Sequence, residues 1–320
     1  MTLGSIEISV LECLAESYGI NGSLQRLSGE NLNYLLSTTE GERYVVKIVD
    51  DEIPPEVLEM EFEALEYAIS AGFSLQLPRI IQNSHKKYDT GIKIHINSGN
   101  RLLLMLFIDG DQLESLSDIS DNLLKNVGIS LAQYNLAMQG FDHPAAHRNH
   151  RWNLAEAGQH RDKISLVEDP EKQALLAWGF DAWEQVKSDL KSLPWQFIHG
   201  DMNRENILVR GDRVTGLVDF GDSCFNPAVC DLAICLAYSM MDRDDPLETA
   251  AIVTGAYHAI RPLIEAELSV LLPLVCGRLA TSIAVSISRR RIDPDNPNWF
   301  GGEESAWDLL ETLRGEQIRI

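Results

Sequence analysis

The sequence predicts an α+β protein of two lobes, with a small antiparallel β lobe over residues 1–107 and a larger, mainly helical lobe over residues 108–320. Strand-like segments are concentrated before residue 107. Apolar residues recur at helical spacing through most of the chain that follows. The length of 320 residues is enough for two lobes with separate hydrophobic cores.

The β lobe is predicted to begin with an amphipathic helix within residues 1–26 that ends near residues 18–22. Two strands at 34–39 and 43–49 are joined through Glu40-Gly41-Glu42, which is typical of a hairpin. Pro54-Pro55 indicates the start of a helix. The apolar stripe of that helix is Leu58, Phe62, Leu65 and Ile69, and two further strands follow at 92–97 and 101–107.

Beyond a crossing at 108–111, helices dominate. One carries an apolar stripe from Leu124 to Met138, and another is predicted over 171–190. Pro194 interrupts the helical pattern. Two short strands at 206–210 and 214–220 come next, and the rest of the chain to about residue 315 is again predicted to be helical.

The composition of the chain argues against two classes of binding partner, nucleic acids and membranes. With 48 acidic and 27 basic residues, the formal net charge of −21 repels phosphate backbones, so we expect no nucleic-acid partner. The apolar runs are shorter than a membrane span, and the first ten residues lack the pattern of a signal peptide, so we expect no membrane partner. Five cysteines without a CxxC pair are typical of free thiols in a reducing cytoplasm. The composition gives no indication of the oligomeric state.

One segment of the helical lobe has the spacing of a catalytic loop. In His199-Gly200-Asp201 an acid follows an apolar strand, and Asn206 comes five residues after Asp201. The pattern H-x-D-x-x-x-x-N is that of the kinase catalytic loop. A second acid ends the next strand, in Asp219-Phe220-Gly221. Each tripeptide alone is compatible with an ordinary turn, but their joint occurrence in this order predicts a phosphotransferase.

Phosphoryl transfer accounts for these residue types. Asp201 can accept the proton of an attacking hydroxyl and orient it in line with the γ-phosphoryl group. Asn206 and Asp219 offer the hard oxygen ligands that Mg²⁺ prefers. We therefore expect Asp201 to be catalytic and Asn206 and Asp219 to hold magnesium. His199 is expected to pack within the loop, since Asp201 has the better position for a base.

The β lobe contains residues that suit the same chemistry. A kinase needs a lysine on a strand to hold the α- and β-phosphates, paired with a glutamate on a helix. Lys47 lies in the second hairpin strand, and Glu61 shares the apolar face of the following helix. Ser28 and Asn31, in the loop before the hairpin, can contact phosphate, although that loop has a single glycine and reads alone as an ordinary turn.

From about residue 27 to residue 307, the chain resembles the aminoglycoside phosphotransferase/choline kinase-like superfamily, whose loop carries His-Gly-Asp. The best match, over 198–233, includes Asp219-Phe220-Gly221-Asp222. The resemblance implies a protein kinase-like fold and a role for Asp231 in bracing the catalytic loop through its backbone amides. It also implies that the nucleotide base binds a hinge at Leu106 to Ile108, bordered by Met105.

Three segments look most like the hydroxylysine kinase-like branch, with type II homoserine kinase close behind. These segments are residues 28–34, residues 147–154 and the tail over 278–307. That branch implies an acceptor that is an amino acid or amino alcohol, with ATP or GTP as the co-substrate.

A zwitterionic acceptor needs an anion for its ammonium and a cationic fork for its carboxylate. Asp222 is a candidate for the first, and Arg278 or Arg151 for the second. Each has another interpretation: Asp222 as the cap of a turn, and Arg151 as a surface residue. Two rival functions stay open, namely a kinase for homoserine, choline, ethanolamine, a sugar or an aminoglycoside, and a nucleotide-binding pseudokinase that regulates a partner. A pseudokinase would lack a base or metal residue, and none is missing.

Overall fold

The computed structural model describes residues 5–27, 32–50, 52–82, 92–94, 100–294 and 302–317. The chain divides into two compact units. The first comprises Met1–Glu66 and Gln76–Asp109, and the second comprises Tyr67–Leu75 and Gly110–Ile320. Each unit has its own strands and buried residues, and the predicted α+β class is confirmed.

The first unit is built on an antiparallel sheet. Its strands are β1 (Gly22–Arg26), β2 (Leu32–Thr38), β3 (Arg43–Val49), β4 (Ile92–Ile94) and β5 (Asn100–Leu106). They lie in the order β1-β2-β3-β5-β4. Gly41 turns the predicted β2–β3 hairpin at φ +88°, a backbone conformation that strains other residues.

The helices α1 (Ser5–Tyr18) and α2 (Pro55–Ser70) cover opposite faces of this sheet. Side chains alternate along a strand, so residues an odd number apart lie on different faces. Val46 of β3 packs in one core cluster with Leu14 of α1. Val49 of β3 packs in another cluster with Leu58 of α2 and Leu103 of β5. The α2 face is therefore the one that carries Val49 and Leu103.

The second unit is mainly helical. Its helices are α3 (Asp121–Ala137), α4 (Pro170–Val186), α5 (Val229–Met240), α6 (Pro246–Ile260), α7 (Glu265–Ile292) and α8 (Glu303–Gln317). Its strands are β6 (Asp111–Gln112), β7 (Trp195–Ile198), β8 (Ile207–Arg210), β9 (Arg213–Leu217) and β10 (Cys224–Pro227). Strands β6, β8 and β9 form one antiparallel sheet, and β7 pairs with β10 in another.

Three of these helices begin at a side chain that accepts hydrogen bonds from the first turn. The caps are Ser120 for α3, Asp169 for α4 and Asp245 for α6. Such caps satisfy backbone N–H groups that have no partner within the helix. Pro170 and Pro246 follow two of them at the first helical position, where proline lacks only a hydrogen bond that the helix does not make.

Helix α7 runs through the core of the second unit. By length and composition it is apolar enough to cross a membrane, but 78% of its most apolar window is buried within the fold, as in the core helix of a soluble protein. Trp183 of α4 packs against it where Gly277 leaves room, because a Cβ there would lie 2.8 Å from the indole ring. All five cysteines are buried, and they are free, as the sequence predicts.

The structure differs from the predicted secondary structure at several places, either in the end of an element or in a strand that was not predicted. The first helix ends at Tyr18, within the predicted range, but Gly22–Arg26 forms the strand β1, which the sequence does not predict. Its residues are mostly exposed and polar, so this edge strand lacks the apolar alternation by which strands are recognised. The two-residue strand β6 is too short to leave a pattern. The predicted strand over 214–220 ends at Leu217, three residues before its predicted end.

Candidate active site

The loop between β7 and β8 turns sharply at Gly200. This residue has φ +80°, in the region that favours glycine. A Cβ atom built on it would lie 2.3 Å from the carbonyl oxygen of Asp222. Only glycine lets the two segments approach so closely, and the close approach fixes the backbone immediately before Asp201.

Asp231, in the first turn of α5, holds this loop from the interior of the unit. Its Oδ1 accepts from the N–H of Gly200 at 2.9 Å. Its Oδ2 accepts from the N–H of His199 at 3.1 Å and from the side-chain amide of Asn135 at 2.8 Å. Burial raises the pKa of this carboxyl, and His199 and the donors act against that shift. The contacts are those expected of a carboxylate that braces the backbone of the loop.

His199 links the loop to the strand that precedes Asp219. Its Nδ1 accepts from the N–H of Asp201 at 3.3 Å, so in the neutral ring Nε2 carries the proton and donates to the carbonyl of Val218 at 3.1 Å. Burial lowers the pKa of this imidazole, which favours the neutral ring. Both ring nitrogens are thus engaged in holding the loop, and Asp201 is the better candidate for the base.

Asp201 is held at both carboxylate oxygens by side chains. Oδ1 accepts from Nη2 of Arg278 at 2.7 Å, and Oδ2 accepts from the amides of Asn203 and Asn206, each at 3.0 Å. Burial raises the pKa of this carboxyl to about 7, although Arg278 opposes the shift. The side chain is 18% exposed, so it is accessible to a ligand while its orientation is fixed.

Asn206 and Asp219 lie side by side at the ends of β8 and β9. The carbonyl of Asn206 accepts from the N–H of Val218 at 3.0 Å, which extends the β8–β9 pairing to the residue before Asp219. The amide nitrogen of Asn206 donates to Asp201, so its Oδ1 is directed elsewhere and can serve as a ligand. Asp219 adopts φ +60°, a conformation unusual for a residue other than glycine. Two hard oxygen donors at one edge fit a divalent cation such as Mg²⁺.

The turn after Asp219 is held by a segment that the sequence links to one branch of the superfamily. Arg148 donates through Nη2 to the carbonyls of Gly221 and Ser223. Nδ1 of His150 lies 3.4 Å from Oδ1 of Asp222, whose side chain is 29% exposed. The structure therefore places Asp222 in the same turn as Asp219, close enough to Asp201 to raise the pKa of that carboxyl.

The two arginines predicted to contact an acceptor have different surroundings. Arg278 is 2% exposed and is bound to Asp201, to the Tyr238 hydroxyl and to the Trp152 carbonyl. Arg151 is exposed in a turn, and its carbonyl accepts from His160. The structure brings Arg278 to the catalytic loop, and it places Arg151 where a surface residue would lie.

In the first unit, Lys47 and Glu61 lie on elements that pack together. Lys47 is opposite Leu103 in the β3–β5 pairing and two residues from Val49, so it lies on the face that α2 covers. Glu61 of α2 is 7% exposed and falls between two residues of the same core cluster, Leu58 and Phe62. The lysine and the glutamate thus share one side of the sheet, as their predicted pairing requires.

The predicted hinge follows strand β5. Met105 is half-buried, Leu106 is 41% exposed and Ile108 is buried. The N–H groups of Leu106 and Phe107 donate to the carbonyls of Arg79 and Arg43. Of the remaining predicted nucleotide contacts, Ser28 and Asn31 lie outside the described residues.

This fold, with an acid and an amide on one loop and a second acid on the adjoining strand end, is that of the kinase-like phosphotransferases. The model described as "Phosphotransferase enzyme family" matches residues 23–263, and the chain belongs to that family. The resemblance seen in the sequence is confirmed, and the protein is a phosphotransferase that acts on hydroxyl groups of small molecules.

Similar proteins cover most of the chain. Hydroxylysine kinase of Mus musculus is 25% identical over 299 residues, which are 87% of this chain and 78% of the relative. Homoserine kinase of Gluconobacter oxydans (strain 621H) is 28% identical over 278 residues, 83% of this chain and 82% of the relative. The structure of a microcompartment-associated aminopropanol kinase has the same fold, with a TM-score of 0.72 at 18% identity, covering 96% of this chain and 94% of the other.

Several residues of the site are absent from the sequence-based prediction. They are Asn135, Asn203 and Tyr238, together with the individual roles of Arg148, His150 and Trp152. The last three alternate along the chain and all contact the site, a period of two that the sequence displays within the segment 147–154. Asn135 and Tyr238 lie within long apolar helices, and nothing local distinguishes them from other core residues.

Proposed function

We propose that this enzyme transfers the γ-phosphoryl group of ATP or GTP to the hydroxyl of an amino acid or amino alcohol, as a hydroxylysine kinase-like enzyme. The observation that carries the chemistry is the state of Asp201. Its carboxylate is fixed by three side-chain donors, yet it is 18% exposed and lies beside Asn206 at the edge that also carries Asp219. A base must combine fixed orientation with access to the substrate.

In the proposed reaction, Asp201 accepts a hydrogen bond from the acceptor hydroxyl and takes its proton as the new O–P bond forms. The acceptor oxygen attacks the γ-phosphorus in line with the bond to the leaving nucleoside diphosphate, and that bond breaks. The protein makes no covalent intermediate. The rate enhancement comes from positioning and from electrostatic stabilisation by groups that are already oriented.

Asn206 and Asp219 would hold the magnesium ion, which when bound would neutralise charge on the β- and γ-phosphates. Lys47 would contact the α- and β-phosphates, and Glu61 would orient Lys47 from α2. In support, Lys47 lies on the α2 side of the sheet, and Glu61 is buried within the α2 packing face. A buried carboxylate is costly without a cationic or hydrogen-bonded partner, which favours the pairing.

The nucleotide base would bind the backbone at the hinge. Leu106 and Phe107 already donate their N–H groups to the carbonyls of Arg79 and Arg43. Within the described part of the chain, no residue accepts from the N–H of Ile108, which makes it the donor for the base. Both adenine and guanine carry acceptors that can use a single backbone N–H, so this contact accommodates ATP and GTP.

The acceptor class rests on the similar proteins and on charge. Hydroxylysine, homoserine and aminopropanol, named in the relatives, each combine a hydroxyl with an amine. An ammonium group requires an anion nearby, and Asp222 is a partly exposed carboxylate in the turn after Asp219. We therefore assign the ammonium group of the acceptor to Asp222.

A panel of hydroxylated acceptors tests this function. Hydroxylysine, homoserine, aminopropanol, choline, ethanolamine, a hexose and an aminoglycoside are each assayed with ATP and with GTP, in Mg²⁺, for release of nucleoside diphosphate above the rate without acceptor. We expect the highest kcat/KM for an amine-bearing acceptor, with hydroxylysine foremost. Strong turnover of homoserine with none of hydroxylysine would replace the preferred acceptor.

Two variants, Asp222→Asn and Asp201→Asn, serve as controls for the panel. Each active acceptor is repeated with Asp222→Asn, which we expect to raise the KM of amine-bearing acceptors about tenfold and to leave the KM of a hexose unchanged. Turnover of the sugar alone, or equal inactivity of the wild type and Asp201→Asn on every acceptor, would overturn the proposal.

A further inference from the structure

Arg278 is a buried cation in the middle of α7, a long helix with an apolar stretch of membrane-spanning length. It is 2% exposed, although α7 is otherwise apolar around it. Its guanidinium lies over two aromatic rings, 4.7 Å from the centroid of Trp152 and 5.3 Å from that of Tyr238. A buried charge is retained only where partners compensate for the lost water, and two ring faces supply part of that compensation.

Every nitrogen of this guanidinium has a partner within the protein. Nε donates to the Tyr238 hydroxyl at 3.1 Å and Nη1 to the Trp152 carbonyl at 3.3 Å. Nη2 donates to Oδ1 of Asp201 at 2.7 Å. A guanidinium is rigid and planar, so contacts at all three nitrogens between two rings define its position and hence the position of Oδ1.

The opposite oxygen of Asp201 is held from the loop itself. Oδ2 accepts from the amides of Asn203 and Asn206, which are two and five residues away in the chain. These local contacts alone leave the carboxylate free to rotate about one oxygen. The arginine, 77 residues away in sequence, supplies the second fixed point.

We propose that Arg278 is a positioning residue that fixes the carboxylate of Asp201 for phosphoryl transfer, and that it does not bind the carboxylate of the acceptor. The inference rests on the proposed function, in which Asp201 receives the acceptor proton. It differs from the acceptor contact that the sequence predicts for Arg278, because the groups needed to bind an incoming carboxylate are already engaged.

The first test separates positioning from acceptor binding. Arg278→Lys and Arg278→Gln are assayed with two acceptors that differ only in a carboxylate, homoserine and 3-aminopropanol. We expect kcat to fall about 10-fold for Arg278→Lys and about 100-fold or more for Arg278→Gln, with KM within about threefold of wild type for both acceptors. A large rise in KM for homoserine alone, with kcat preserved, would show that Arg278 binds the carboxylate.

Arg290→Gln is the matched control. Arg290 lies on the same helix, its side chain is 52% exposed, and it pairs with Glu303. We expect its kcat and KM to equal those of the wild type. Loss of turnover in this variant as large as that in Arg278→Gln would point to a general effect on α7 and would overturn the specific role of Arg278.

A double-mutant cycle tests whether Arg278 acts through Asp201. The residual kcat of Asp201→Asn is compared with that of Asp201→Asn combined with Arg278→Gln. If the arginine acts by positioning the carboxylate, its loss costs little once the carboxylate is gone, and the double variant is within about threefold of Asp201→Asn. Independent losses that multiply to their full product would overturn the proposal.

Chemical rescue addresses a variant that folds poorly. Arg278→Ala leaves a slot between Trp152 and Tyr238 that fits a free guanidinium ion. We expect guanidinium chloride or methylguanidine at tens of millimolar to restore kcat at least tenfold and to saturate, while ammonium chloride at equal ionic strength does not. Near-ultraviolet circular dichroism of each variant establishes that it is folded, and a folded variant without rescue counts against the proposal.

A structural readout keeps this inference separate from the proposed function. If the wild type phosphorylates no acceptor of the panel, the proposed function fails. The crystal structure of Arg278→Gln beside that of the wild type still decides the positioning role. We expect the Asp201 carboxylate to rotate away from its wild-type orientation, and an unchanged carboxylate would overturn the inference.

Discussion

The two sides of the catalytic loop hold their carboxylates in different ways. On the inner side, Asp231 is fully buried and accepts from the backbone N–H groups of His199 and Gly200, and also from the side-chain amide of Asn135. On the outer side, Asp201 is 18% exposed and accepts only from side chains of Arg278, Asn203 and Asn206 in the contacts that the structure defines. Both are aspartates of one site, and both have a raised pKa because of burial.

The kind of hydrogen-bond donor determines what each carboxylate can do. A carboxylate bound to backbone amides cannot change partners unless the loop itself moves, so it stabilises a conformation. A carboxylate bound by side chains can exchange one donor for a substrate hydroxyl while the others keep it in place. We therefore propose that Asp231, with backbone partners, is the structural acid and that Asp201, with side-chain partners and partial exposure, is the reactive one.

The largest effect is expected from Asp201→Asn. The amide cannot take the acceptor proton, so kcat is expected to fall by about 10³-fold, within the range for loss of a general base. Its Oδ1 can still accept from Arg278, so the fold is kept and the melting temperature is expected to change by no more than a few degrees. Initial rates and differential scanning calorimetry measure both quantities. Turnover within tenfold of the wild type would remove Asp201 from its catalytic role.

We expect Asp231→Asn to lower the melting temperature more than Asp201→Asn does, and to reduce kcat less. One oxygen becomes an NH₂ group that faces a backbone or side-chain donor, and an unsatisfied buried donor costs about 1–3 kcal/mol. For a domain of this size the melting temperature is expected to fall by about 2–12 °C. The loss in kcat is expected to be about 10-fold, well below that of Asp201→Asn.

Asp245→Asn is the matched control for that substitution. Asp245 caps α6 through a single backbone contact from Glu248, and asparagine is as good a cap as aspartate. Its melting temperature is expected to be within about 1 °C of the wild type, a change too small for the loss of a cap. If Asp231→Asn were equally mild and Asp201→Asn were the less stable variant, the distinction between the two sides of the loop would be lost.

The residues that we propose carry the chemistry could be selected from the sequence because their signal is local. Asp201 and Asn206 are separated by one loop, and Asp219 by one hairpin, so the spacing alone brings them together. The alternation of β3 likewise predicts that Lys47 lies on one face, and the stripe of α2 predicts the same side for Glu61. Periodicity and short spacing carry this information without knowledge of the tertiary structure.

What supports the site could not be predicted, since its partners come from distant parts of the chain. The contact of Arg278 with Asp201 spans 77 residues, and that with the Trp152 carbonyl spans 126. From the sequence alone, an arginine within an apolar helix suggests a ligand contact as readily as a buried partner for an acid. The strand β1 was missed for a different reason, since an exposed edge strand needs no apolar face.

The smallest expected effect concerns His199, the residue between the two sides of the loop. Burial lowers the pKa of its imidazole, whereas Asp231 and Asp219 act to raise it. If burial prevails, the folded ring stays neutral while the ring in the unfolded chain, with a pKa of about 6.5, takes up a proton. The unfolded state then binds more protons, so the stability of the fold falls as the pH is lowered below about 6.5.

His199→Gln isolates this contribution because glutamine does not titrate and its amide can still donate to the Val218 carbonyl. Between pH 6.5 and pH 5, the free energy of unfolding is expected to fall more steeply in the wild type than in the variant, by at most about 1.4 kcal/mol per pH unit. Melting temperatures measured across this range report the difference. Parallel curves would mean that burial and the neighbouring acids cancel in their effect on the pKa, whereas a steeper fall in the variant would mean that the acids keep the ring charged. In that case the charged imidazole of His199 would form an ion pair with Asp231. The inner side of the loop would then be stabilised by this ion pair as well as by backbone hydrogen bonds.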